Sequence, residues 1–364
     1  MLSRRTLLSL PAAYWLVRSS PLLAAPLPNS PTWPGNEWNQ TTPEQAGWDP
    51  AFMSEARRYS RSIDTASFMA IQRGVVVDSW GDIDRRIELR SMRKSLLSAL
   101  IGIAVSEHKI SLDDTLSTLG IDDVPASLTP EEKQATVRDL LKGRSGVYHA
   151  AAYEDPEEKK LRPPRGSHAP GTFWYYNNWD FNALGAIYEK AVGTSIFEAF
   201  KKKIADPIGM QDYRPSDGRY EREHTSRFPA YPFHMTARDL ARFGLLFLRG
   251  GRWGDQQVVP ASWVDESTKA WSGPTDFHSG YGYMWWAGYP DKWIHVIDLP
   301  PGGFWADGWH GQFIIVDPRD DLVVVHQTDV GKKVGHAEMG HLMWLVLNAA
   351  RATNPGTDPS ASKR

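Results

Sequence analysis

The chain has 364 residues, 41% hydrophobic and 23% charged, an ordinary globular balance with material for one large or two medium domains. Its 41 basic residues face 43 acidic ones, so a net charge of −2 offers no basic surface for nucleic acid or anionic lipid. The absence of cysteine excludes disulfides, thiolate metal sites and a cysteine nucleophile. Sixteen tryptophans pack cores and loops, and they also suit a cleft for a partly apolar ligand.

Residues 1–25 read as a leader. Ser3-Arg4-Arg5-Thr6-Leu7-Leu8 gives a basic start with a twin-arginine pair, and an uncharged stretch runs from Thr6 to Val17. Small residues at Ala24-Ala25 precede Pro26, completing the pattern of a cleaved signal peptide. Arg18 leaves the apolar run too short to span a bilayer. Export to the periplasm or beyond is therefore expected, with no stable membrane insertion once the leader is removed.

Residues 26–45 are an extended lead-in rich in Pro, Asn, Thr and Trp, and Ala51 to Ser62 has helical spacing. Ser67 to Gly81 reads as two β-rich runs around Arg73-Gly74, a hairpin. An apolar helix opens at Ser91 and ends near Glu107-His108-Lys109, and Thr136 to Lys142 is a short capped helix. From Tyr148 to Gly171 the chain is polar and Pro-rich, which predicts a long loop of the kind that often carries function. Helices are expected at Trp179–Ala191, Ser195–Ala205, His234–Leu248 and Pro260–Ala270. Strands follow at Tyr281–Trp286, Trp293–Ile297, Phe304–Gly308, Gln312–Val316 and Leu322–Gln327, then a closing helix at Glu338–Ala350 and a disordered tail at 353–364. Consecutive hairpins favour an antiparallel sheet. The predicted architecture is α/β (α+β): residues 46–112 and 236–352 form the sheet flanked by helices, and 113–235 form an inserted, mostly helical lobe.

The sequence Ser91-Met92-Arg93-Lys94-Ser95 begins the apolar helix, and residues three apart share a helix face. A lysine at the edge of an apolar core loses hydration, which favours the neutral amine, and a neutral amine can activate a neighbouring hydroxyl as a nucleophile. A second Ser-x-x-Lys, Ser106 to Lys109, lies at the polar end of the helix where its lysine stays hydrated and charged. Tyr176 and Asn178, two apart in a loop entering a helix, can face one pocket. Ala306 to Asp317 reads as a strand entered through glycines, which let a substrate approach the backbone.

Ser91-x-x-Lys94-Ser95, Tyr176-x-Asn178 and Trp309-His310-Gly311 occur in the order and separation of the serine β-lactamase and penicillin-binding-protein superfamily. Over about residues 50 to 350 the chain resembles the class C-like branch of esterases and 6-aminohexanoate-dimer hydrolases. Connecting runs agree, among them Thr136-Val-Arg-Asp-Leu-Leu, Thr236-Ala-Arg-Asp-Leu-Ala-Arg-Phe-Gly244 and Tyr281-Gly-Tyr-Met-Trp-Trp286. The resemblance implies a β-lactamase/transpeptidase-like fold and a hydrolase working through an acyl-enzyme on Ser91, with Lys94 or Tyr176 as the base. It implies Asn178 as a brace for substrate and Lys94, and the backbone N–H groups of Ser91 and Gln312 as the oxyanion hole. Trp309, His310 and Gly311 then line the substrate, and no metal or cofactor is expected.

In β-lactamases the third motif is often Lys-Thr-Gly, whose lysine helps bind the substrate carboxylate. With Trp309-His310 in its place that charge is missing, so a carboxylic ester or small amide is the expected substrate. A β-lactamase or D-alanyl-D-alanine carboxypeptidase is the alternative enzyme, and a slowly deacylating penicillin-binding-type receptor the non-enzyme one. Tyr153, in the 148–171 loop that resembles the lid of the amide-hydrolysing relatives, is a further candidate substrate contact. His336 and His341 have the wrong spacing for a two-histidine metal helix. Ser145 reads as a loop residue and Asp139 and Asp239 as capping or packing carboxylates. Oligomeric state is left open.

Overall fold

The computed structural model describes residues 26–273, 279–289, 297, 299–329 and 331–351. The expected leader, the strand at 293–297 apart from Ile297, and the tail at 353–364 lie outside these residues. In chain order come α1 (Pro50–Ser62), β1 (Thr65–Gln72), β2 (Val75–Gly81), β3 (Ile87–Glu88), α2 (Arg93–Ser106), α3 (Val137–Leu141), α4 (Pro156–Lys160), α5 (Asn178–Val192) and α6 (Ile196–Phe200). They are followed by β4 (His234–Met235), α7 (Ala237–Leu248), β5 (Arg252–Trp253), β6 (Gln256–Gln257), α8 (Ala261–Ser267), β7 (Ser279–Tyr281), β8 (Trp286–Gly288), β9 (Phe304–Gly308), β10 (Gln312–Asp317), β11 (Leu322–Thr328) and α9 (His336–Arg351).

A seven-stranded antiparallel sheet in the order β2-β1-β11-β10-β9-β8-β7 brings the first and last strands of the chain together. β1 and β2 join through Arg73 (φ 52°) and Gly74 (φ 81°), a left-handed pair that matches the strand twist of a tight hairpin. Alternation along the strands serves two cores. Phe68, Ala70, Phe313, Ile315 and Val324 face α1 and α9, while Met69, Ile71, Ile314, Val316, Val323 and Val325 face the other helices. Residues 113–235 add no strand to this sheet, and α3, α5 and α6 bury their apolar residues in the second core. The fold is thus a helix-flanked antiparallel sheet with helices inserted between its strands. Among the described residues no helix is long and apolar enough to cross a membrane.

Every residue of α2 from Arg93 to Ala104 is buried, as expected of a helix apolar on all sides. Burying each of Leu96, Leu97, Leu100 and Ile101 is worth roughly 1.5–3 kcal/mol. Two sequence expectations need correction. The α-helix does not start at Ser91: the chain enters through a left-handed Arg90 (φ 52°) and a 3₁₀ turn over Arg90–Met92, the tighter winding common at helix starts, and α2 begins at Arg93. Tyr281–Trp286 is not one strand but the hairpin between β7 and β8, reversed at Met284 with φ 60°. Lesser differences are a π-type turn at Lys201–Ala205 continuing α6, and the short α4 inside the 148–171 loop.

Candidate active site

Helix α2 delivers Lys94 from one side and the loop before α5 delivers Tyr176 from the other. Lys94 Nζ stands 2.9 Å from Ser91 Oγ and 2.6 Å from Tyr176 Oη, so one buried nitrogen bridges two hydroxyls. Lys94 is 1% exposed, and Nζ also lies 4.2 Å from the centre of the Tyr176 ring and 4.9 Å from that of Phe181. Such ring faces partly replace the water a cation has lost. The Tyr176 ring stacks on Trp286 at 5.8 Å and meets Tyr281 edge-on. Its backbone is fixed by the next residue: Asn177 caps α5, and its Nδ2 donates to Val147 O at 2.7 Å and to Asp180 Oδ1 at 2.9 Å. Ser95 Oγ donates to Met284 O at 2.7 Å and so ties α2 to the β7–β8 turn.

The β9–β10 hairpin closes the site. Gly308 presses on the segment preceding the nucleophile, where a Cβ would fall 2.3 Å from Leu89 O and 3.2 Å from Arg90 Cβ. The turn that follows carries His310 at φ 68° and Gly311 at φ 97°. A cleft of about 430 Å³ opens over Ser91 and Tyr176, with Trp286, Trp309, His310 and Gly311 among its walls. Phe313 and Val334 make it more apolar still, whereas Asp307, His336 and Lys333 add charge.

Asp307 and Lys333 are not singled out by the sequence, which presents His336 only as a metal-helix histidine that its spacing sets aside. His336 Nε2 lies 2.5 Å from Asp307 Oδ2, and this hydrogen bond raises the imidazole pKa. Asp307 sits on β9 and His336 opens α9, and no local pattern announces such a distant pair. Trp309-His310 supplies no ammonium to the third motif, and Lys333, in the segment before α9, is among the residues lining the cleft. His310 is held below the usual histidine range by partial burial, with Lys333 and Arg90 nearby.

The remaining candidates are placed differently. Asn178 is the first residue of α5, buried at 3% exposure, and does not line the cleft. Gln312, whose backbone N–H is the expected oxyanion donor, opens β10 directly after Gly311, and its buried side chain donates from Nε2 to Thr328 O at 2.9 Å and Thr328 Oγ1 at 3.0 Å. Tyr153 is not on the cleft wall either. Its hydroxyl donates to Glu88 and accepts from Arg90 Nη1 at 2.7 Å, beside the nucleophile turn. Burial and the Glu88 carboxylate push that phenol up to about 12.

Asp139 completes a capping box with Thr136, and Asp239 accepts from the N–H groups of Gln211, Asp212 and Tyr213. Ser145 is buried in its loop and accepts from Val147 N. His341 stacks on Trp344. At the second Ser-x-x-Lys, Ser106 donates to Ile103 O while Lys109 pairs with Glu107. Among the described residues no group of three or more His, Asp or Glu is placed to hold a metal ion.

Residues 44–347 match the family model described as Beta-lactamase. The 6-aminohexanoate-dimer hydrolase of Paenarthrobacter ureafaciens is 26% identical over 271 residues, covering 66% of each chain. The lovastatin esterase of Penicillium rubens is 27% identical over 161 residues, 36% of this chain and 39% of its own. The matched stretches thus span about two thirds or less of these relatives. A penicillin-binding-protein homologue from Caulobacter crescentus superposes with a TM-score of 0.60 at 17% identity, covering 85% of this chain and 99% of that one. With a family match over most of its length, this chain belongs to the Beta-lactamase family, whose relatives include a 6-aminohexanoate-dimer hydrolase and an esterase.

Proposed function

We propose that the protein is a serine hydrolase that cleaves carboxylic esters or small amides through an acyl-enzyme on Ser91. The observation that carries this reading is the bridge of Lys94 Nζ between Ser91 Oγ and Tyr176 Oη. Ser91 Oγ attacks the carbonyl carbon as its proton passes to Lys94 or Tyr176, giving a tetrahedral adduct. The C–O or C–N bond to the leaving group then breaks, and the leaving group takes that proton with the bonding electrons. Water, deprotonated by the same pair, attacks the acyl-Ser91 ester; the acid departs and Ser91 regains its proton. The Ser91 N–H and an N–H from the Gly308–Gln312 turn stabilise the oxyanion, each worth roughly 3 kcal/mol. Asn178, two residues past Tyr176, braces the Lys94 side of the site. The walls contributed by Trp286, Trp309, Phe313 and Val334 favour an apolar acyl or leaving group. Residues 1–25 direct export.

A fluorophosphonate tests the reading. A single adduct on Ser91, found by mass spectrometry and absent from Ser91→Ala, is expected; labelling elsewhere, or none, overturns it. A second reading, β-lactam hydrolysis, draws on Lys333, whose ammonium at the cleft wall suits a substrate carboxylate. Faster turnover of nitrocefin than of p-nitrophenyl acetate would favour it, and the reverse order is expected.

A further inference from the structure

Behind the turn at Trp309–Gly311, on the face away from α2, the interior strand β11 carries two polar side chains in an otherwise apolar row. His326 is fully buried between Phe68 and Phe313, its neighbours in the register of β1 and β10. Its Nδ1 lies 2.8 Å from Gly311 O and its Nε2 2.8 Å from Thr65 Oγ1. A carbonyl only accepts, so Nδ1 carries the proton and Nε2 accepts from the threonine hydroxyl. Burial pushes this imidazole down to about 4, so it remains neutral through the physiological range. Two residues on, Thr328 Oγ1 donates to His310 O and accepts from Gln312 Nε2 at 3.0 Å. Two successive carbonyls of the turn are thus held from below.

We propose that His326 is a positioning residue for hydrolysis: by clamping the Gly311 carbonyl, it fixes the direction in which the turn presents its peptide N–H groups. This rests on the acyl-enzyme reading, in which the turn supplies an oxyanion donor. The physical link is peptide planarity, since the C=O and N–H of a trans peptide point opposite ways. With Gly311 O turned towards His326, the N–H of the same peptide, that of Gln312, is turned away from it. Thr328 does the same for the peptide joining His310 and Gly311. The clamp has strain to oppose, because His310 is a side-chain-bearing residue at φ 68° and such a conformation persists only when its surroundings over-determine it. Released, the turn can flip a peptide and present a carbonyl where a donor is needed.

The test compares wild type with His326→Leu, His326→Asn and Thr65→Val on a p-nitrophenyl ester, with Ser91→Ala as the blank. His326→Leu removes the donor and keeps much of the volume; the amide nitrogen of His326→Asn sits where Nδ1 did. A small displacement of a reacting group costs on the order of 100-fold in rate. His326→Leu is therefore expected to lower kcat by roughly 10- to 100-fold with KM little changed. His326→Asn should restore most of that loss, and Thr65→Val should fall between. Equal losses in Leu and Asn, a change confined to KM, or an unchanged kcat would overturn the proposal. If His326→Leu does not fold, Thr65→Val decides: a kcat loss at constant KM sustains it and an unchanged kcat sinks it. A wild type without Ser91-dependent turnover overturns the hydrolase reading and the positioning role with it. An active wild type indifferent to His326 overturns only the latter.

Discussion

Lys94 has given up nearly all contact with water, and a buried ammonium without compensating partners costs several kcal/mol. Its compensation is local: two hydroxyls on Nζ and two aromatic faces beside it. Tyr176 supplies one of each, and the two contributions can be separated. Tyr176→Phe keeps the ring, its stack on Trp286 and its face towards Lys94, and removes only Oη. Its kcat on an ester is expected to fall by roughly 10²–10⁴, the range for losing a positioned acid or base, while Tm stays near wild type. A variant that keeps nearly full kcat would show that proton transfer bypasses the phenol. The Ser91/Lys94 spacing was legible because residues three apart meet on a turn. For Tyr153 the resemblance of its loop to a lid pointed to substrate, whereas its hydroxyl donates to Glu88 and accepts from Arg90. Which polar group occupies a hydroxyl is decided by neighbours 65 and 63 residues away in the chain.

At the scale of elements, runs with one strong period were readable and reversals inside apolar runs were not. β9, β10 and β11 emerge within a residue of their expected bounds, because short apolar runs are cut by turn residues. Met284 offers no such punctuation, and its left-handed turn is set by Tyr283 N bonding Ser267 O and Ser95 holding Met284 O. The end of β10 meets α9 through Asp317, which accepts from Arg319 N and faces Arg351 at 3.4 Å. Burial, with Asp320 alongside, pushes the Asp317 carboxyl up to about 7. Its folded value is therefore above the unfolded one, so between about pH 4 and 7 the folded state retains a proton that the unfolded chain releases. This group makes stability decline as pH rises through that window, then levels off. Asp317→Asn cannot titrate, so its stability relative to wild type, measured by urea unfolding at pH 4.5 and pH 8, should improve towards the higher pH. A constant difference between the two would refute the assignment.

Across the whole molecule, the site exists only where segments far apart in sequence are pressed together. The nucleophile turn lies early in the chain, the phenol in the inserted helical segment, and the cleft wall on strands near the end. Sequence order could suggest these partners through resemblance, but not the distances, nor the Asp307–His336 pair, because nothing local encodes a contact between a strand and a helix 29 residues apart. One such junction is Gly308 against Leu89 and Arg90. There a Cβ would stand 2.3 Å from Leu89 O and 2.8 Å from Gln312 Cβ, and neither can yield without moving the turn before Ser91 or the start of β10. Gly308 does not adopt a positive φ, so the difficulty is space rather than backbone conformation. Overpacking of this kind typically costs about 1–3 kcal/mol of stability. The displacement also separates the two sides of the site, so Gly308→Ala should lose roughly 100-fold in kcat/KM while remaining folded at assay temperature. Labelling of Ser91 by the fluorophosphonate should slow in parallel, since that reaction needs the same geometry. A Gly308→Ala protein with lowered Tm and wild-type labelling would show that the junction serves stability alone.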